Sequence, residues 1–245
     1  MPKNLTEIYI LAGSAIFCIV LSIILHFALI NKSKKVREIP LLIITILLVT
    51  SEIIKQVLDI IRGYDPFSVP LHFCSLFIYL FPLAYFTKGK AKDIFQSLAS
   101  IFSFFVGTIL VIFPPLIVNH SASNIFYDYW TFHRVFFHYL VLLYGLLSLT
   151  LDIYVPSKKD DYSNVLLAVT IYWAIAIPMA YLTNINFNNV LKSGFPPLER
   201  WHQEVGDTSY LAFIIVGFNA LLLVFTKIYH DVYKKIHKPE TAQIA

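Results

Sequence analysis

The sequence is poor in charged residues and in cysteine, and each shortage excludes a class of protein. Only 14% of the 245 residues are Asp, Glu, Lys or Arg, whereas 58% are hydrophobic and the mean hydropathy is +0.69. This composition is not typical of a soluble enzyme and indicates a protein with several membrane spans. Cys18 and Cys74 are the two cysteines, too few for a disulfide framework.

Several motifs are also missing. No basic face with interleaved aromatic residues is present, so the net charge of +4 does not indicate nucleic-acid binding. No HExxH or comparable helix-borne ligand pair indicates a metal site. No small-x-small cleavage site follows the first apolar run, so we expect it to be a retained span instead of a signal peptide. No internal repeat divides the chain, and we expect one polytopic membrane domain over residues 1–245.

Seven apolar stretches are long enough, or nearly so, to cross a bilayer, which takes about 20 helical residues. They lie at 8–30, 39–60, 70–86, 94–118, 130–153, 164–182 and 210–228. The third is short, and its Pro70 and Pro82 predict a tilted or bent helix. The sequence therefore predicts an all-α membrane protein with seven transmembrane helices.

The distribution of Lys and Arg predicts the orientation of these helices. Thirteen basic residues fall in the loops 31–38, 87–93 and 154–163 and in the tail from 227, whereas four fall on the opposite side. Because short cytoplasmic loops carry the excess of Lys and Arg, we expect the N-terminus outside and the C-terminus in the cytoplasm.

Polar side chains within the predicted spans are concentrated toward one face of the membrane. They are Glu52, Lys55, Asp59, His72, Cys74, His133, Arg134, His138, Asn184, Asn186 and Asn188. Counted along the helices, all of these lie in the outer half of the bilayer, and the inner half holds almost no ionisable residue. Buried ionisable groups in membranes are functional candidates, so we expect one polar cavity open to the outer leaflet. The long outer connection 183–209 is a candidate lid.

This set of side chains can support acyl transfer to a lipid alcohol, or hydrolysis of a lipid ester, through an acyl-cysteine. A cysteine thiolate is a strong nucleophile, and a nearby histidine can accept its proton. An asparagine or a second histidine can orient that base or donate to a developing oxyanion. Helical depth places His133 closer than His138 to the level of Cys74, but it does not decide between them.

Each residue also has a purely structural interpretation. Cys74 can simply pack, and Glu52, Lys55 and Asp59 have the spacing at which neighbours on one helix neutralise each other. On a helix, His72 points away from Cys74, which favours capping, packing or a lipid headgroup contact. The asparagines can satisfy backbone groups of the following loop.

Three segments resemble the YwaF family of bacterial integral membrane proteins. They are PLHFCSLFIYLFP, the opening WTFHRVFFHYLVLLYG of the fifth span, and TNINFNNV after the sixth. That family is similar to transmembrane protein 164, an acyltransferase acting on phospholipids. The resemblance implies a bacterial plasma-membrane protein with Cys74 as nucleophile and His138 as its histidine partner. It implies a phospholipid or lysophospholipid substrate and no cofactor.

Two other functions remain open from the sequence. A transporter or lipid-binding protein can use Glu52, Asp59 and the histidines as a polar path, although we find no paired inverted repeats. A metalloenzyme can use His72, His133, His138 and Glu52, although their spacing is a weak signal. The candidates for binding or orienting a substrate are Glu52, His72, His133, Arg134, Asn184, Asn186 and Asn188. No protein partner is indicated.

Overall fold

The computed structural model describes residues 5–114 and 124–237, and all regular secondary structure in this part of the chain is helical. The α-helices are α1 (Leu5–Leu29), α2 (Lys34–Arg37), α3 (Ile39–Ile61), α4 (Phe77–Phe86), α5 (Gly89–Ile112), α6 (Tyr129–Thr150), α7 (Lys158–Thr183) and α8 (Pro196–Ile236). Short 3-10 helices lie at Pro66–Ser68, Phe73–Leu76 and Phe187–Asn189.

Six helical segments of the described residues are long and apolar enough to cross a membrane. They are Thr6–Leu29, Lys34–Ile61, Gly89–Ile112, Tyr129–Thr150, Lys158–Thr183 and Pro196–Ile236. Six of the seven predicted spans therefore correspond to long apolar helices, and the protein is an all-α multi-pass membrane protein. The last four residues of the predicted span 94–118, and Lys238 in the basic tail, lie outside the described residues.

The predicted span 70–86 differs from the other six. Only Phe77–Phe86 is α-helical, with the 3-10 helix Phe73–Leu76 before it and an extended residue, His72, before that. Ten α-helical residues cover about 15 Å, half of the bilayer's hydrocarbon thickness. Pro70 disfavours helical backbone only at Val69, and the observed break is the extended conformation of His72. The segment is therefore unwound at its start and continues as a helix about half as long as a membrane span.

The connection predicted at 183–209 is largely helical instead of irregular. Helix α8 starts at Pro196, where two prolines occupy its first turn and need no hydrogen-bond acceptor. It is interrupted at Gly206, whose φ of 78° is a left-handed value that glycine adopts freely. The apolar part of α8 follows this break, and the helix ends in a segment with charged residues such as Lys234 and Lys235.

Helices α5 and α6 form the centre of the bundle. In their span windows 67% and 72% of residues are buried, against 17% in α1. The two helices approach closely because both carry a glycine at the contact. A Cβ atom at Gly145 would lie 2.9 Å from the backbone of Ser103 and Phe104, and one at Gly107 would lie 3.1 Å from Leu142 Cα. This close pair is the frame on which the other helices pack.

The two ends of the bundle carry different polar groups. We call the upper end the one where α3 and α7 finish and α6 begins, and the lower end the one where α5 and α7 begin and α6 finishes. The expectation that one half holds almost no ionisable residue is wrong, because Asp161 (0% exposed) and His230 (3% exposed) are buried at the lower end. Helices α7 and α8 extend further than the predicted spans and carry both residues into the protein.

Candidate functional site

A buried cluster at the upper end is centred on Glu52 of α3. Lys55 Nζ lies 2.9 Å from Glu52 Oε1, and Gln56 Nε2 donates to the same oxygen at 2.7 Å. His133 of α6 places its Nε2 atom 3.1 Å from Glu52 Oε2, off the line of an ideal hydrogen bond. The predicted neutralisation of Glu52 by Lys55 is confirmed, and the structure adds His133 to the pair.

Asp59 does not belong to that ion cluster. Its Oδ1 atom accepts a hydrogen bond from Trp130 Nε1 at 2.6 Å, while Oδ2 is buried without a partner. The guanidinium of Arg62 lies 3.9 Å from the centre of the Trp130 ring, a cation–π contact. Because Tyr129 also donates to the Ser51 carbonyl at 2.8 Å, side chains at the start of α6 hold it against α3.

His138 lies one and a half turns further along α6, in the core. Its Nδ1 atom is 2.7 Å from the Arg134 carbonyl oxygen, which can only accept a hydrogen bond. In the neutral ring the proton is therefore on Nδ1, and Nε2 is left as a proton acceptor. Half-buried Arg134 lies within electrostatic range of both His138 and Asp128, and its guanidinium forms no salt bridge with a described residue.

His72 packs among aromatic rings next to the Cys74 turn. Its ring centre lies 4.7 Å from that of Phe67 and 5.3 Å from that of Phe187, and it is within electrostatic range of Lys55. Its Nε2 atom is buried without a hydrogen-bond partner. Since His72 lies before the 3-10 helix, the expectation that it and Cys74 occupy opposite sides of one helix is wrong, and packing describes its role.

Asn188 connects the Cys74 turn to α7. Its Oδ1 atom accepts from the Phe73 amide at 3.2 Å, and its Nδ2 group donates to the Tyr172 hydroxyl at 2.6 Å. Tyr172 in turn donates to the Leu71 carbonyl at 3.0 Å. Asn188 was predicted from the sequence, whereas Tyr172 was not, because a tyrosine in an apolar span gives no local signal of a partner 101 residues away.

The other two predicted asparagines shape the connection between α7 and α8. Asn184 ends α7 in the left-handed conformation, with φ of 55°. Asn186 Oδ1 accepts from the amides of Leu191 and Lys192, and its Nδ2 group donates to the Lys192 carbonyl. The Asn186 side chain therefore satisfies backbone groups of the connection, whereas Asn184 contributes its left-handed conformation and its backbone N–H, which donates to the Ala180 carbonyl.

The first piece of α8, residues 196–205, is linked through Tyr210 to the connection that carries Asn188. Tyr210 donates to the Asn189 carbonyl at 2.6 Å, and its ring stacks on His202 with centres 3.9 Å apart. His202 Nε2 lies 2.7 Å from Asp207 Oδ1, which bridges the break at Gly206. The candidate lid, residues 183–209, therefore includes this short helix, whose end is held by the contacts of His202, and its movement stays a prediction.

The structure unites some predicted site residues and separates others. It joins Glu52 with His133, and Asn188 with the backbone beside Cys74. Among the described residues, no hydrogen bond connects Cys74 to either His133 or His138, and no group of three His, Cys, Asp or Glu side chains is close enough to hold a metal ion. Cys18 is buried and its thiol lies 3.5 Å from the Tyr139 carbonyl, in agreement with a packing role.

Comparison with known proteins assigns the chain to a family. No curated protein and no solved structure shows significant similarity to it. A family model does match, over residues 3–229, and this range includes the Cys74 turn, the α6 histidines and Asn188. The match agrees with the resemblance to relatives of transmembrane protein 164 seen in the sequence. The chain is a member of the TMEM164 family.

Proposed function

We propose that the protein is an intramembrane lipid-acyl enzyme of a bacterial plasma membrane, and that Cys74 is its nucleophile. The observation that carries the proposal is the unwound entry to α4. Non-helical backbone at membrane depth is tolerated where the protein satisfies it, commonly beside a cavity. Here side chains from two distant segments, Tyr172 and Asn188, satisfy the backbone immediately before Cys74.

The hydrogen bonding of the two α6 histidines supports His138 as the base. His133 Nε2 faces the Glu52 carboxylate, so this ring contributes to a buried ion cluster. His138 has its Nδ1–H bonded to its own helix, which fixes the tautomer and leaves Nε2 able to accept a proton. Catalytic hydrogen bonds are often longer in the free enzyme and tighten when substrate binds, so the absence of a Cys74–His138 bond is compatible with this role.

The proposed reaction has two steps. In the first, His138 Nε2 accepts the Cys74 thiol proton, and the sulfur attacks the carbonyl carbon of a lipid ester. The C–O bond breaks as the C–S bond forms, the leaving alcohol takes the proton from His138, and a lysolipid and an acyl-cysteine result. In the second, an acceptor hydroxyl gives its proton to His138 and attacks the thioester. The C–S bond breaks, the sulfur regains the proton, and the new ester leaves.

Burial favours transfer to a lipid alcohol over hydrolysis. Cys74 itself is half-buried, and Phe73 before it and Phe77 three residues after it are 4% and 0% exposed, so the acyl-cysteine forms beside apolar side chains. Scarcity of water protects a reactive intermediate from hydrolysis. The guanidinium of Arg134 forms no salt bridge with a described residue, and we propose that it binds an anionic lipid group near the histidines.

The first test measures acyl exchange by purified protein in nanodiscs. Isotope-labelled phospholipid and an unlabelled lysophospholipid acceptor are incubated with wild type, Cys74→Ala and the matched control Cys18→Ala, and products are followed by lipid mass spectrometry. We expect label transfer by wild type and Cys18→Ala and none by Cys74→Ala. Transfer that survives in Cys74→Ala would show that the nucleophile is elsewhere.

A second variant separates the two histidines. His138→Gln should abolish transfer, because glutamine cannot accept the thiol proton. His133→Gln retains a hydrogen-bonding group toward Glu52 and should keep part of the activity. The reverse result would assign the base to His133. Absence of transfer by every protein, over several lipid headgroups, would contradict the enzyme function and favour lipid binding or transport.

A further inference from the structure

Tyr172 is a buried polar residue in the middle of an apolar helix. Its side chain is 5% exposed, and its hydroxyl both donates to the Leu71 carbonyl at 3.0 Å and accepts from Asn188 Nδ2 at 2.6 Å. A buried hydroxyl is retained at a cost unless it is hydrogen bonded, and this one uses its donor and an acceptor position. The three residues that meet here come from segments far apart in the sequence.

The backbone conformation of Asn188 allows its side chain to connect Tyr172 with the entry to α4. Its backbone is left-handed, with φ of 48°, a conformation that asparagine tolerates better than most residues. The turn directs its amide toward the entry to α4, where Oδ1 accepts from the Phe73 amide. The carbonyl of Leu71 and the amide of Phe73 are therefore held by one connected unit, Tyr172–Asn188.

The residue next to the cysteine is fixed by packing as well. The Phe73 ring is 4% exposed and meets the Tyr172 ring edge-on, with centres 5.6 Å apart. It also contacts Phe102 at 5.1 Å and Phe218 at 4.9 Å. Tyr172 thus contacts the entry segment twice, by its hydroxyl at Leu71 and by its ring at Phe73.

We infer that Tyr172, acting through Asn188, is a positioning residue that sets where the Cys74 thiol lies. This inference rests on the proposed function. Catalysis through a nucleophile depends on placement, and a displacement of about 1 Å can lower a rate by a factor of about 100. Without the Tyr172 hydroxyl, the Leu71 carbonyl and the Asn188 amide lose their partner, and the backbone that leads to Cys74 gains freedom.

The test uses full-length protein in the Cys18→Ala background, where Cys74 is the single cysteine. Two variants break the unit: Tyr172→Phe removes only the hydroxyl, and Asn188→Gly removes the side chain without straining the left-handed backbone. The matched control is Tyr139→Phe, which also deletes one buried tyrosine-to-carbonyl hydrogen bond, at Leu11. For each protein, kcat and KM for acyl transfer, the rate of alkylation of Cys74 by a membrane-permeable maleimide, and the melting temperature are measured.

We expect kcat to fall about tenfold or more in Tyr172→Phe and in Asn188→Gly, with KM within about twofold of the parent. The alkylation rate should change severalfold in the same two variants, whereas Tyr139→Phe should match the parent in both readouts. Because the two residues act as one unit, the double variant should be no worse than the worse single variant.

Two results would overturn the inference. An alkylation rate unchanged in Tyr172→Phe would show that the hydroxyl does not place the thiol. Losses of activity that follow the folded fraction equally in Tyr172→Phe and Tyr139→Phe would show a general structural role. If the parent protein transfers no acyl group, the proposed function fails, and the alkylation rates still decide whether Tyr172 positions Cys74.

Discussion

Two buried aspartates, one at each end of the bundle, are treated in opposite ways. Asp161 at the lower end accepts hydrogen bonds from four donors: Ser97 Oγ at 2.6 Å, the Tyr154 hydroxyl, the Ser157 amide at 3.1 Å and His230 Nε2 at 2.7 Å. Among the described residues, Asp59 at the upper end accepts a hydrogen bond from Trp130 only, and its second oxygen has no partner. Exposure does not explain the difference, since the residues are 0% and 5% exposed.

Asp161 therefore acts as a structural joint between helices, whereas Asp59 keeps one acceptor oxygen unused. A buried polar network that is completely satisfied rigidifies a protein, and Asp161 joins α5, α7 and α8 in this way. Buried atoms left without partners require an explanation, and at the upper end they include Asp59 Oδ2 and His72 Nε2. Among the described residues, Arg37 Nε and the Tyr229 hydroxyl are also buried without partners at the lower end, so the contrast holds for the two aspartates and not for the two ends as a whole.

The largest expected effect tests the lower joint. Asp161→Asn places an amide NH2 where the carboxylate accepted hydrogen bonds, and it removes the charge that faces His230. We expect stability to fall by about 3–5 kcal/mol, measured by unfolding in detergent micelles, with acyl transfer per folded molecule unchanged. A loss below about 1 kcal/mol would remove the contrast between the two aspartates.

The next prediction tests the ion cluster of the upper end. Glu52→Gln retains the size of the side chain but removes the charge shared by Lys55 and His133. We expect stability to fall by about 1.5–3 kcal/mol and acyl transfer to fall more steeply than the folded fraction, because the cluster faces the histidines. If activity and folded fraction fall together, Glu52 serves the fold alone.

A satisfied carboxylate at the upper end sharpens the comparison. Asp128 caps α6 by accepting from the Thr131 hydroxyl at 2.6 Å and amide at 2.8 Å, and these bonds lower the pKa of Asp128 from its ordinary 3.8. Asp128→Ala should cost about 1 kcal/mol at neutral pH. A lowered pKa means that the cap contributes fully above pH 3.8 and is lost as the pH falls through the lowered value.

The check on Asp128 is the difference in melting temperature between wild type and Asp128→Ala at several pH values. This difference should be constant from pH 7 to about pH 5 and should shrink in more acidic buffer. A difference that grows on acidification would contradict the capping role.

The smallest effect belongs to the incompletely satisfied aspartate. Asp59→Asn keeps an oxygen for Trp130 and turns the unpartnered oxygen into an amide group, so we expect stability to change by less than about 1 kcal/mol. Measured beside Asp161→Asn, the same chemical change should be several times more costly at the lower end. Equal costs would mean that hydrogen bonding does not distinguish the two sites.

Hydropathy predicted most of the fold because it is a local property. Six apolar stretches are long helices in the structure, because a segment of about 20 apolar residues in a membrane must satisfy its backbone hydrogen bonds within one helix. The exception is the segment 70–86, which is α-helical only over Phe77–Phe86. Its prolines predicted a bend but not a half-length helix. The predicted spans 164–182 and 210–228 are shorter than α7 and α8. Charged residues at the start of α7 and at the end of α8 lower the local hydropathy there.

The candidate site was predicted less completely because its contacts are not local. Glu52 and Lys55 are neighbours on one helix, and their pairing was expected from their spacing. By contrast, Asn188 meets Phe73 across 115 positions, and His230 meets Asp161 across 69. No periodicity encodes such pairs in a single sequence, so Tyr172 and the Asp161 joint become visible only when the helices are packed.

The close contact between α5 and α6 has a consequence for mutational screening. Any side chain at Gly145 would collide with the backbone of Ser103 and Phe104, which cannot rotate away. A random library selected for activity should therefore tolerate almost no substitution at Gly145, while Gly13 and Gly217, which have open space around them, should accept alanine. In such a library, both catalytic residues and close-packed residues would reject substitution. Measured protein abundance would distinguish them, because only the packing substitutions should lower it.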